Sequence, residues 1–157
     1  MSLAPPKATA IHGAAFKIGI VAARFNEALV DGLLARAQAV LQAAGVRPGN
    51  VTLLRVPGSH EVPWAAAQLA AGGRRDCVIA LGVLIGGDTN HHEMVGTSVS
   101  HALQHVALET GVPVINGVIV TNTLAQAKAR TTGRINRGAE FARAALEMAA
   151  LKKGLRR

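Results

Sequence analysis

The chain has 157 residues, half of them hydrophobic and 17% charged, a length and balance that fit one globular domain and exclude a disordered chain. Its net charge of +8 invites an anionic partner, but no tyrosine, one tryptophan and three phenylalanines leave few stacking platforms for nucleic acid. A lone cysteine, Cys77, rules out a disulfide framework, and no apolar run approaches the roughly 18 residues of a membrane span.

The opening "MSLAPPKATAIHGAA" lacks a charged segment followed by a long apolar one. The expectation is a flexible lead-in over 1–15, a single domain over 16–157, and a cytoplasmic location. "KIGIVAA" (17–23) is a short β-rich run. In "FNEALVDGLLARAQAVLQAAG", Leu29, Leu33, Ala37, Val40, Leu41 and Ala44 recur at helical spacing, and Gly45 is the stop. "NVTLLRV" (50–56) is the second strand, and "EVPWAAAQLAAGG" is a helix with Pro63 in its first turn. "DCVIALGVLI" (76–85) is continuously apolar, the pattern of a strand buried on both faces, and Cys77 inside it reads as a small core residue.

A helix follows from about His91 to Glu109, with Val95, Val99, Leu103 and Val106 as its stripe. "VPVINGVIV" (112–120) is the fourth strand. Two helices close the chain, over 123–131 and 136–153, the second with Phe141, Ala145 and Met148 on one face. Nine of the seventeen basic residues lie at or after Lys128, a solvated face with some capacity for anions. Strands alternating with helices predict a parallel sheet covered on both faces. In such sheets ligands bind beyond the carboxyl ends of the strands, where "ARFN", "VPGSHE" and "GGDTNHHE" all fall.

Each of these loops has two readings. Gly87, Asp88, Thr89 and Asn90 precede a helix, so they either cap it or let its free N–H groups hold an anion. His91 and His92 stand at the helix start, and a neutral imidazole there has the form a general base needs. Phe25 is either a core plug or a stacking surface for a flat ring. Glu61 either caps a helix or accepts hydrogen bonds from ligand hydroxyls. Arg130 and Arg134 lie where phosphate contacts are natural. His101 and His105, four residues apart, lack a third ligand at suitable spacing, so no metal site is expected.

Taken together, "ARFN" (23–26), "VPGSHEVP" (56–63), "GVLIGGDTNHHE" (82–93) and "ARTTGRINRGAE" (129–140) resemble the lumazine synthase family in order and spacing, over residues 16 to 154. The resemblance implies a flavodoxin-like three-layer α/β fold with a four-stranded parallel sheet. It implies a transferase that condenses a ribitylamino-pyrimidine with a phosphorylated dihydroxybutanone in the penultimate step of riboflavin synthesis, with no cofactor. By the same resemblance His91 moves the protons and His92 is its runner-up. Phe25 stacks on the pyrimidine, and Asn26, Ser59, His60, Glu61, Val83, Leu84, Ile85 and Asn116 contact the ring and ribityl chain. Gly87, Asp88 and Thr89 cradle the phosphate, joined by Arg130 and Arg134 from a neighbouring subunit. A homo-pentamer, assembly into a sixty-subunit shell and a partnership with riboflavin synthase are implied too, with His101 and His105 facing the fivefold channel.

Gly86 stands where a basic residue is common in that family, His60 where an aromatic is common, and Asn116 where phenylalanine is frequent. The alternative is therefore a homologue that binds flavin-like rings or builds a shell with its catalysis eroded.

Overall fold

The computed structural model describes residue 4 and residues 6–156. Part of the expected lead-in, residues 1–3 and 5, lies outside the described residues. Over the rest of that stretch Ile11 packs on the core, and the Gly13 amide donates to the Ala44 carbonyl at 2.7 Å.

Four strands form one sheet in the order β2-β1-β3-β4. They are β1 (Ile18–Ala23), β2 (Val51–Val56), β3 (Cys77–Ile85) and β4 (Val114–Thr121). Every pairing is parallel, and the registers Ile18↔Val51, Ile18↔Cys77 and Val78↔Val114 nearly align the strand starts. All strands therefore begin at one pole of the sheet and end at the other. The long apolar run becomes β3, an interior strand buried from Cys77 to Val83.

Alternation along the strands divides the core in two. Ile18, Ile20, Cys77, Ile79 and Leu81 face α1 (Glu27–Ala43) and α5 (Arg137–Leu155). Val21, Ala23, Val78 and Ala80 face α2 (Val62–Ala70) and α3 (His91–Thr110). Fully buried side chains such as Leu33, Leu41, Ile79 and Leu103 each contribute about 1.5–3 kcal/mol. The short α4 (Leu124–Thr131) is capped by Thr123, whose hydroxyl accepts from the Gln126 amide at 3.2 Å.

Two expectations need correction. The second helix does not begin at Glu61: a single 3-10 turn covers Ser59–Glu61, and α2 starts at Val62. The last helix does not bury Met148, which is 37% exposed. Its inner face is Gly138, Ala139, Ala142, Ala145, Leu146 and Ala149. The cause is close approach: a methyl on Gly138 would overlap the Leu33 carbonyl of α1, so small residues carry the contact there.

Candidate active site

At the exit of β1 the chain crosses to the neighbouring strand end. The Arg24 amide donates to the Val56 carbonyl at 2.9 Å and the Phe25 amide to the Pro57 carbonyl at 3.0 Å. Asn26 then adopts a left-handed conformation (φ 56°), the one non-glycine residue to do so among those described. Asparagine tolerates this backbone better than most residues. Its side-chain amide donates to the Val83 carbonyl at 2.9 Å, tying the exit of β1 to β3. Phe25 is left 72% exposed, so it is no core plug. Its ring lies against Gly58, where a Cβ would come 3.2 Å from Phe25 Cδ2.

Beyond β2, Glu61 takes the capping role of its two readings. Its Oε2 accepts from the Gly58 amide at 2.9 Å, closing the turn. The other oxygen has only His60 Nδ1 nearby, at 4.0 Å. Ser59 is buried, and its hydroxyl has no hydrogen-bond partner. Such a group carries an unmet bonding capacity. A methyl on Gly82 of β3 would overlap that hydroxyl, so glycine in β3 makes its room.

Beyond β3 the Gly86 amide donates to the Thr121 carbonyl at 2.7 Å. A Cβ here would sit 2.8 Å from the Asn122 carbonyl oxygen and 3.2 Å from His92 Nε2, so the neighbours occupy the place of a side chain. Gly87 faces open space. Capping of α3 is mostly main-chain: the Asn90 carbonyl accepts from the Glu93 and Met94 amides, both at 3.1 Å, and the Asn90 side chain makes no cap. Thr89 Oγ1 accepts from the His91 amide at a long 3.4 Å. His91, the first residue of α3, is exposed. His92 is half-buried, its Nε2 3.3 Å from Asn122 Oδ1 and its Nδ1 buried without a partner.

These three loops enclose a cleft of about 700 Å³. Phe25, Asn26, Ser59, His60, Glu61, Val83, Leu84, Ile85, Gly87, Thr89 and His91 all line it, as the sequence suggested, and so does His92. Gly58, Met94 and Val95 complete the wall: the first two had no assigned role in the sequence, and Val95 belongs to the apolar stripe of α3. Met94 was legible as one helical turn on from His91.

Four named residues lie outside the lining within one chain. Asp88 is exposed in the loop beside it. Asn116 is on the edge strand β4, its Oδ1 accepting from the Val118 amide at 3.1 Å. Arg130 is in α4, donating to the Gln126 carbonyl at 3.1 Å, and Arg134 is exposed before α5. The lining therefore holds one carboxylate, Glu61, and no lysine or arginine among the described residues. Nor do the described residues contain a group of three histidine, cysteine, aspartate or glutamate side chains placed to share a metal. His105 instead meets Glu109 at 2.9 Å. No helix of the described residues is long and apolar enough to cross a membrane.

Such a cleft brings together an aromatic ring, a carboxylate and a glycine-opened helix start with an imidazole. Residues 15–153 match the family described as 6,7-dimethyl-8-ribityllumazine synthase. The 6,7-dimethyl-8-ribityllumazine synthase of Aquifex aeolicus is 47% identical over 141 residues, covering 89% of this chain and 92% of that one. The proteins of the same name from Nitrosospira multiformis and Thermococcus kodakarensis are each 42% identical, over 92% of this chain and 89% and 91% of theirs.

Proposed function

We infer how the cleft works from one premise: the chain belongs to the 6,7-dimethyl-8-ribityllumazine synthase family. It is a transferase of riboflavin biosynthesis. It condenses 5-amino-6-(D-ribitylamino)uracil with 3,4-dihydroxy-2-butanone 4-phosphate to 6,7-dimethyl-8-ribityllumazine, releasing phosphate and water.

The observation that carries the site assignment is that Phe25 and His91 line one cleft together with Gly87 and Thr89, from the loop between the end of β3 and α3. The pyrimidine stacks on the exposed Phe25 ring. The ribityl hydroxyls meet the free oxygen of Glu61 and the main chain at Ser59 and His60, with Asn26 and the β3 end (Val83, Leu84, Ile85) around them. The phosphate lies at the start of α3, where Gly87 allows close approach and Thr89 adds a hydroxyl. Asp88 contributes its backbone there, because its carboxylate would repel the ligand.

The chemistry is proton traffic. The pyrimidine amine attacks the ketone and an imine forms as water leaves. Loss of a carbon-bound proton expels phosphate and leaves an enol, which shifts to a ketone, and the second nitrogen closes the ring on that carbonyl as a second water leaves. His91 takes and returns these protons, and His92, held by Asn122, is the second imidazole within reach. No metal or cofactor enters these steps.

A phosphate in a cleft without a cation calls for one from outside. Arg130, assisted by Arg134, reaches it from a neighbouring copy, and Asn116 on β4 completes the ring site in the same way. The functional unit is then a ring of copies, a pentamer, in which His101 and His105 line the central channel. Assembly into a sixty-subunit shell, partnership with riboflavin synthase and a cytoplasmic location complete the proposal. Mixing both substrates with wild type and with His91→Ala, and following lumazine fluorescence, tests the assignment. Product from wild type alone supports it; equal rates from both proteins would move the base elsewhere.

A further inference from the structure

The pole where the strands begin carries a second concavity, of about 210 Å³. Lys17, Gln68, Arg74 and Arg75 line it, with Leu69 and Ala71. At roughly 30 Å³ per water, it has room for a phosphoryl group and some solvent. Among the described residues, the side chains of Lys17, Arg74 and Arg75 have neither an ion pair nor a hydrogen bond.

The nearby carboxylate, Asp76, is already engaged. One oxygen accepts from the Lys17 amide at 2.7 Å, and the other pairs with Lys153 at 3.5 Å. Beneath the arginine-bearing loop, Lys152 is only 6% exposed. Its ammonium donates to the Gly73 carbonyl at 3.0 Å and to the Arg75 carbonyl. Arg156 donates to the same Gly73 carbonyl at 3.3 Å. Burial, and then Arg156, hold the Lys152 ammonium below its ordinary value.

The loop is built to present these groups. Gly72 and Gly73 take positive φ (75° and 65°), reversing the chain after α2. The carbonyls of Gly73 and Arg75 turn down onto Lys152 of α5, while Arg74 and Arg75 line the concavity with Lys17. Like charges gathered this way repel one another in the free protein. A multivalent anion removes that repulsion, and Gln68 adds a neutral amide donor.

We propose that this pole is a binding site for a small phosphate-type oxyanion, held by Lys17, Arg74, Arg75 and Gln68 and separate from the cleft. Inorganic diphosphate is the probe. Thermal unfolding of the full chain is followed with diphosphate and with sodium chloride at matched ionic strength, for wild type and for Lys17→Gln/Arg74→Gln/Arg75→Gln. Diphosphate raises the wild-type Tm beyond the chloride control. In the triple variant its apparent affinity falls about tenfold or more, lumazine formation is unchanged, and the anion-free Tm is higher because the repulsion is gone. Equal stabilisation of both proteins, or an equal effect of chloride, would overturn the site. So would a response to a random DNA duplex alone, lost in the triple variant and steep in salt, since that marks a polymer surface rather than a small-anion site.

Discussion

The two poles of the sheet are opposites in charge and in disposition. Where the strands end lies the cleft of about 700 Å³ proposed for the phosphorylated substrate, yet among the described residues no lysine or arginine lines it. Where they begin, Lys17, Arg74 and Arg75 line a smaller concavity and the nearby Asp76 is already bonded. The contrast teaches that net charge does not locate an active site. Topology puts the larger concavity, built of loops, at the strand ends, and the phosphate site proposed there rests on backbone N–H groups and on what a neighbouring copy brings.

The sharpest way to break this comparison is to remove the imidazole at the cleft. His91→Ala is expected to lower kcat by about 10²–10⁴, the usual range for a general acid–base group, with circular dichroism and particle size unchanged. Activity within a few-fold of wild type in a steady-state lumazine assay would transfer the role, and His92→Ala would be the next variant.

The imported cation comes second. Arg130→Ala is expected to raise KM for the phosphorylated butanone about 10–100-fold, the scale of one or two charge-assisted hydrogen bonds. KM for the pyrimidine moves far less. A mixture of His91→Ala and Arg130→Ala subunits should regain activity, because a site with an intact half from each can form. An unchanged KM, or no gain on mixing, would leave the cleft without its neighbour.

The frame of the cleft gives a third, smaller effect. Asn26→Gly keeps the left-handed backbone but loses the bond to Val83, costing about 0.5–1.5 kcal/mol in denaturant unfolding. Asn26→Ala adds the strain of that backbone, about 1–2 kcal/mol more. Equal stabilities for the two variants would mean the backbone at 26 relaxes and the clamp is dispensable.

Much of this was legible before the structure. β3 announced itself by its unbroken apolar run, and the three strand-exit loops converge because parallel strands share one end. What stayed hidden depends on distance between segments remote in sequence. Phe25 as plug or platform could be decided only by its 72% exposure. On α5, Phe141 and Ala145 do meet the core and Met148 does not, because close helix packing selects glycine and alanine for much of the inner face. Nor does any local pattern show that Lys152 lies buried beneath the turn at Gly73.

Cys77 opens β3 at the basic pole, and it sets the smallest prediction. Burial pushes its thiol from 9.0 up to about 12, outweighing the Val78 carbonyl contact and nearby Lys152. The folded chain thus keeps a proton that the unfolded chain loses. Stability is fully present below pH 9.0 and declines between there and about 12, by roughly 1.4 kcal/mol per pH unit once the unfolded thiol is ionised. Lys152 acts with the opposite sign: its lowered value means that stability gains as pH rises towards its ordinary 10.5. Comparing Cys77→Ala with wild type isolates the thiol. The variant is less stable at neutral pH, where it lacks the buried sulfur, and the gap narrows as pH climbs above 9.0. A gap independent of pH would mean that the thiol ionises as freely in the folded chain as in the unfolded one, and that solvent reaches the start of β3.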